Sequence, residues 1–359
     1  MKKRLLAIHL PQFHPFKEND EWWGKGFTEW TNVAKASPRY RGHYQPHIPA
    51  DLGFYDLRLE ESRIAQAELA KEYGIYGFCY YHYWFNGKQL MERPVNEILS
   101  SSKPDFPFML CWANENWTRA WDGGISNLLI KQDYNLEDDK AHMEYLCSKV
   151  FCDKRYIKIN NKPVFIVYKP DQFPDMKSTI DVWREVASKY GMELYLCFME
   201  RDYHFSELYL SYGFDAAVDF QPRNMGDFYK RNSLSNIMRK VTYRLHIRKN
   251  DITDYSEYIN YRMSLPKPSY KLYPAISPNF DNSPRREGQV YTAFKGSTPV
   301  LYGKWLKSTL NNFTPYSEDE NFVFVNAWNE WAEGNHLEPD LKWGRKYLEE
   351  TKKAIEEVV

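Results

Sequence analysis

The chain has 359 residues, with 48 Lys and Arg against 48 Asp and Glu, so no global field draws it to nucleic acid or to an anionic membrane. Its 12 Trp, 28 Tyr and 21 Phe exceed what a core needs and suit a groove that stacks on flat apolar surfaces, including the C–H faces of sugar rings. Five cysteines, an odd number lying partly inside apolar runs and without zinc-ligand spacing, read as buried reduced thiols rather than a disulfide framework.

The opening "MKKRLLAIHLPQFHP" holds an apolar stretch of about six residues, shorter than a secretory h-region, and no small-residue cleavage site follows. It reads as a first strand, and no segment approaches the ~20 apolar residues of a membrane span. A cytoplasmic location is the expectation. Seven further apolar runs follow "RLLAIHL" (4–10): "IYGFCYYHY" (75–83), "PFMLCWA" (107–113), "PVFIVY" (163–168), "ELYLCFM" (193–199), "FDAAVDF" (214–220), "LYPAIS" (272–277) and "FVFVNAW" (322–328). Stretches with helical apolar spacing lie between most of them, as in 59–74 and 181–191, and another ends the chain at 342–359. Near-continuous apolar strands alternating with helices predict a parallel sheet covered on both faces. Eight repeats favour closure into an α/β (β/α)8 TIM barrel, one domain over 1–359. An open doubly wound sheet is disfavoured, because no GxGxxG follows any strand and GxxxxGK[ST] is absent. Two connections are unusually long, at about 11–58 and 222–270, and long loops in a compact domain tend to wall binding sites.

In such a barrel the reactive groups belong at the C-terminal ends of the strands. Those ends supply His9 and Gln12, then Tyr81, His82 and Trp84, then Trp112, Asn114, Glu115, Asn116 and Trp117 from "CWANENWTRAW". Later ends add Glu200, Gln221, and the group Asn329, Glu330, Trp331 and Glu333. Amides, carboxylates and indoles meeting in one mouth suit an oligosaccharide or polysaccharide. Glu330 and Glu333 would face opposite ways in a continuing strand, but a turn over "NEWAEG", with Gly334 at its exit, brings both to the mouth. Two carboxylates across one bond are what glycoside cleavage requires. No metal or other cofactor is expected: His9 with His14, or His43 with His47, lack a matching carboxylate cluster. The segment 230–249 carries seven Lys and Arg and no acid; it reads as a solvated helix face, or as a peripheral contact with a membrane or an anionic glycan.

The segment "NEWAEG", followed by "LEP", resembles the "NEWHEG…EP" segment of glycoside hydrolase family 99, the endo-α-mannosidases and endo-α-mannanases. Four front-half motifs, "LPQFHPFKENDEWWGKGFTEWTNV", "GHYQPHIPADLGFYDLR", "GIYGFCYYHYWFNGK" and "FPFMLCWANENWTRAWDG", resemble the WbsX-type proteins of bacterial surface-polysaccharide loci. Those proteins are often labelled glycosyltransferases and belong with the family-99-like barrels. The resemblance spans about residues 4–340 and implies a metal-independent, retaining (β/α)8 enzyme. It further implies that Glu330 takes the proton of the sugar's own 2-hydroxyl, giving a 1,2-anhydro sugar, while Glu333 acts as acid and then base. On that reading Glu333 has the raised pKa and Glu330 stays ionised. Ala332, where the hydrolases have His, and Asn335-His336, where they have Thr-Gln, bear on mannose specificity more than on reaction type. The alternatives are a glycosyltransferase of O-antigen or capsule synthesis, against which stands the absence of Asp-x-Asp, and a non-catalytic glycan-binding barrel.

Overall fold

The computed structural model describes residues 2–119, 128–201, 205–222, 225–230, 237, 241–242, 244, 250–286 and 288–358. The first six barrel strands are β1 (Arg4–His9), β2 (Ile75–Phe85), β3 (Phe108–Trp112), β4 (Lys162–Val167), β5 (Tyr195–Glu200) and β6 (Ala216–Asp219). The seventh, β7, has two halves, Leu272–Tyr273 and Ala275–Ile276, and β8 is Phe322–Val325. Each pairs in parallel with the next, and β8 returns to β1 with Arg4 opposite Phe322 and Ala7 opposite Val325. The circle closes through β7. Pro274 has no N–H to donate and splits that strand, so its first half pairs with β6 and its second with β8. The Pro274 carbonyl still accepts from the Phe324 N–H at 2.8 Å.

The middles of these strands are apolar because both faces are covered, the inner by barrel packing and the outer by helices, while charged residues fall at their ends. Every residue of β3 and β8 is buried, whereas a strand open to water on one side would alternate. Leu, Ile and Phe side chains buried in this way stabilise the fold by roughly 1.5–3 kcal/mol each. Gly77 on β2 is obligatory for a local reason: a Cβ there would stand 2.5 Å from the Pro107 carbonyl oxygen.

The predicted helices form at Glu60–Glu72, Met176–Lys189 and Lys346–Glu356. The first long connection is more ordered than its polar composition suggests. It contains helices Lys17–Trp23 and Glu29–Lys35, and is tied across the mouth by Leu57 N–H to Phe13 O at 3.0 Å and Ala50 N–H to Pro339 O at 2.9 Å. Within the second, Tyr255–Met263 is helical, and Asp251–Asp254 pairs with Thr292–Lys295. Most of the basic segment 230–249 lies outside the described residues. No helix among the described residues is long and apolar enough to cross a membrane.

Candidate active site

The turn after β8 is fixed before any ligand arrives. Asn329 clamps the end of β1, its Oδ1 accepting from the Leu10 N–H at 2.7 Å and its Nδ2 donating to the Leu10 carbonyl at 3.0 Å. Trp331 donates its indole N–H to Glu338 at 2.6 Å and stacks on His336 at 3.8 Å between ring centres. Glu330 ends a short antiparallel pair with Asn335, and Trp331–Glu333 form a single 3-10 turn. Gly334 then leaves with φ 56°, a left-handed value that suits glycine. Extended backbone followed by one tight turn delivers both glutamates to the same place.

That place is one guanidinium. Arg285 donates to Glu330 Oε2 at 2.9 Å, to Glu333 Oε1 at 2.7 Å and to Glu29 Oε1 at 2.6 Å. Arg285, Glu29 and Glu330 are all at most 9% exposed. Three carboxylates share this one guanidinium in a buried place, an arrangement that favours protonation of Glu330 and Glu333. Burial raises Glu330 to about 8, opposed by Arg285 and reinforced by the charges of Glu333 and Glu29. Burial raises Glu333 as well, again against Arg285. Burial also works against the charge of Arg285, but Glu29, Glu333 and Glu330 hold it protonated. Burial thus acts on both glutamates, and not on Glu333 alone as the resemblance implied. The Glu330 carboxylate is desolvated at least as deeply as that of Glu333, and the two titrate together.

Above the cluster lies a cavity of about 230 Å³. Gln12, Tyr81, Glu115, Trp117, Glu330 and Glu333, all legible in the sequence, line it. So do Glu29, Tyr83, Tyr168, Asn326 and Arg285, which sequence reasoning missed. Glu29 did have a signal, since it stands in the quoted motif "GFTEW". Arg285 had none: "DNSPRREG" reads as a solvated turn, and its partners lie 256, 45 and 48 residues away. The walls are aromatic, with Trp23 stacked on Phe27 at 5.3 Å and Trp117 edge-on to Tyr83 at 5.6 Å. Glu115 is held by Lys169.

The other sequence candidates are not among the lining residues, and each has a physical reason. Along β2 the side chains alternate, so Tyr81 and Tyr83 face the cavity while His82 and Trp84 face the helices. There His82 meets His142 at 2.8 Å and Trp84 donates to Asp138 at 2.9 Å. Trp112 belongs to the same outer layer, against His142 and Trp183. His9 bonds Gln66 at 3.1 Å and packs on Phe78 and Tyr80. Asn114 holds the Lys169 backbone, and Asn116 accepts from the Gln132 N–H at 2.6 Å. Glu200 accepts from Ser206 at 2.6 Å and from Tyr270. Gln221 is fixed between Asp219 and Tyr258. Asn329 and Trp331 shape the turn rather than the cavity wall. Of the histidine pairs considered as metal ligands, neither forms: His43 bonds Asp281 at 2.6 Å, and His47 faces His336.

Strand order and the placement of this site define a (β/α)8 barrel with its buried carboxylates at the C-terminal mouth. The chain belongs to the WbsX family: the family described as "Glycosyltransferase WbsX" matches residues 5–351. The uncharacterized protein WxcX of Xanthomonas campestris pv. campestris is 39% identical over 360 residues, covering 98% of this chain and 49% of that protein. The chain thus spans about half the length of the curated relatives it matches. A solved glycoside hydrolase-like protein superposes with a TM-score of 0.62 at 15% identity, covering 99% of this chain and 94% of the other. The family 99 endo-α-mannosidase of Bacteroides thetaiotaomicron superposes with a TM-score of 0.58 at 12% identity, covering 99% and 97%. At these identities the likeness is one of fold.

Proposed function

We propose that this chain is a carbohydrate-active enzyme that cleaves an internal glycosidic bond of a bacterial surface polysaccharide, or of a mannan-like or rhamnan-like glycan, with retention. The observation that carries the reading is the carboxylate pair Glu330 and Glu333 on one guanidinium beneath an aromatic cavity. A glycan fits such walls because its C–H faces stack while its hydroxyls bond the polar base.

Glu330, once ionised, accepts the proton of the 2-hydroxyl. O2 attacks C1, the glycosidic bond breaks, and the leaving oxygen takes the proton of Glu333. Water then opens the 1,2-anhydro sugar at C1, giving its proton to Glu333, while O2 recovers a proton from Glu330. Intramolecular attack gains from a high effective molarity only where O2 lies trans to the leaving oxygen, which restricts substrates to 1,2-trans linkages with a free 2-hydroxyl. The raised pKa of Glu330 makes it a stronger base toward an alcohol than an ordinary carboxylate. Retained protons in the cluster supply the acid.

The family description favours a second reading, a glycosyltransferase. In that case an acceptor hydroxyl would take the place of water, or a nucleotide sugar would bind the cavity. Incubating the purified chain with bacterial surface polysaccharides and α-mannans, with product anomers followed by NMR, separates the readings. Retained reducing ends and an inert 2-deoxy substrate are expected. An inverted first product, or efficient cleavage of the 2-deoxy analogue, would overturn the mechanism; calorimetric binding of a nucleotide sugar would favour the transferase.

A further inference from the structure

Beside the turn that carries the two glutamates lies a second recess, of about 270 Å³, separate from the cavity that Glu330 and Glu333 line. Three of its side chains converge. His47 Nδ1 stands 2.8 Å from His336 Nε2, and His336 Nε2 stands 4.0 Å from Asp340 Oδ2. All three residues are at most 4% exposed, and their ligand atoms lie within 4.8 Å of one another.

The surroundings orient these atoms. His336 Nδ1 lies 2.8 Å from the Glu338 carbonyl oxygen, which can only accept, so Nδ1 carries the proton and Nε2 keeps a lone pair. An imidazole held by a backbone carbonyl on one nitrogen, with the other turned to companions, is the usual outer support of a metal-binding histidine. Asp340 is fixed in the same way: its Oδ1 accepts from the Trp343 N–H at 2.6 Å, and the Tyr44 hydroxyl bonds its carboxylate. Two cations, Lys295 and Lys342, also line this recess; Lys342 lies over the Tyr44 ring at 4.3 Å and the Trp343 ring at 4.9 Å, which take up part of the charge that it also shares with Asp340.

Two imidazoles and one carboxylate form a set that Zn²⁺ takes, with one position left for solvent; all-oxygen cations such as Mg²⁺ and Ca²⁺ are poorly matched. At Zn–N distances near 2.0–2.1 Å, neighbouring ligand atoms of a tetrahedral site stand about 3.3 Å apart. The His47–His336 separation of 2.8 Å would open by about half an ångström, and the 4.0 Å separation to Asp340 would close by slightly more. The third separation, between His47 and Asp340, is at most 4.8 Å and would close by up to about 1.5 Å, so binding requires the three side chains to rotate toward the ion. We propose that His47, His336 and Asp340 form a Zn²⁺ site that clips the first long connection to the chain just beyond Glu333. His336 also stacks on Trp331, so the ion would brace the turn that presents the catalytic pair. The inference rests on the ligand geometry and not on the proposed reaction.

The test uses the full chain, stripped with a chelator, desalted and titrated with ZnCl2. The wild type is expected to bind one equivalent by calorimetry and to melt at a higher temperature with zinc than without. His47→Gln and Asp340→Asn should each weaken binding by at least about tenfold, within the range that such sites lose to smaller changes. His82→Gln, which disrupts the buried His82–His142 pair, should leave zinc binding unchanged. Should His47→Gln fail to fold, zinc X-ray absorption of the wild type decides, with imidazole scattering from two ligands expected. No stoichiometric uptake by the wild type, unchanged affinity in Asp340→Asn, loss of binding in His82→Gln, or a spectrum without imidazole would each overturn the site.

Discussion

Glu338 and the pair Glu330 and Glu333 stand close together after β8 and are treated in opposite ways. Glu338 is surrounded by neutral donors: the Tyr55 hydroxyl at 2.8 Å, the Gln66 amide at 2.7 Å and the Trp331 indole at 2.6 Å. Burial raises it to about 7, its donors pull it back, and it is not among the residues lining either recess. Glu330 and Glu333 have a cation in place of neutral donors, and both line the cavity. The difference teaches what each is for. A carboxylate whose lone pairs all point at fixed neutral donors is a knot in the fold, whereas one held by a single charge keeps an oxygen for chemistry.

Breaking the comparison on the chemical side should give the largest effect. Glu330→Gln and Glu333→Gln should each lower the rate of glycan cleavage by roughly 10²–10⁴-fold, the usual worth of a general acid or base, with the thermal midpoint little changed. Glu338→Leu should do the reverse. It leaves the Tyr55, Gln66 and Trp331 donors buried without a partner, at about 1–3 kcal/mol each, so urea denaturation should show a loss of several kcal/mol.

Arg285→Met tests the cation itself. Removing one partner from a buried ionic network costs about 3–5 kcal/mol, and without the guanidinium both glutamates should rise further. Folded protein recovered from that variant should need a higher pH to ionise its base, so the limb of the kcat/KM profile expected near 8 in the wild type should move upward. A limb that stays in place would mean that Arg285 does not set the charge of the pair.

Trp117→Ala should weaken substrate binding by about 1–3 kcal/mol, by analogy with bases stacked on aromatic side chains, while leaving the pH limbs where they are. The smallest effect is a linkage one. Because the folded-state value of Glu338 lies near 7, above that of an unfolded carboxyl, its contribution to stability is complete at acid pH and is lost as pH rises through about 7. The stability difference between wild type and Glu338→Gln, measured by urea midpoints, should therefore shift against the wild type between about pH 4.5 and pH 7 and level off above it. A difference independent of pH would show that folding does not raise the Glu338 carboxyl.

Much of the fold was legible in the linear chain, because strands covered on both faces must be apolar without interruption. Even the broken seventh strand announced itself as "LYPAIS", although only the pairing shows that Pro274 divides it between two neighbours. The pair Glu330 and Glu333 was legible for a local reason too, since an extended strand end, one turn and a left-handed glycine fall within a few residues. Which residues share the cavity was not local. Tyr81 and His82 are equally plausible by type, and only the register of β2 in the closed barrel sends one inward and the other to His142. Arg285 and Glu29 reach the glutamates from distant connections, and His47 meets His336 across 289 residues. Sequence pattern records which apolar residues are buried, because their own polarity drives it. The partner of a buried charge is fixed by closure of the barrel, and that belongs to the tertiary structure alone.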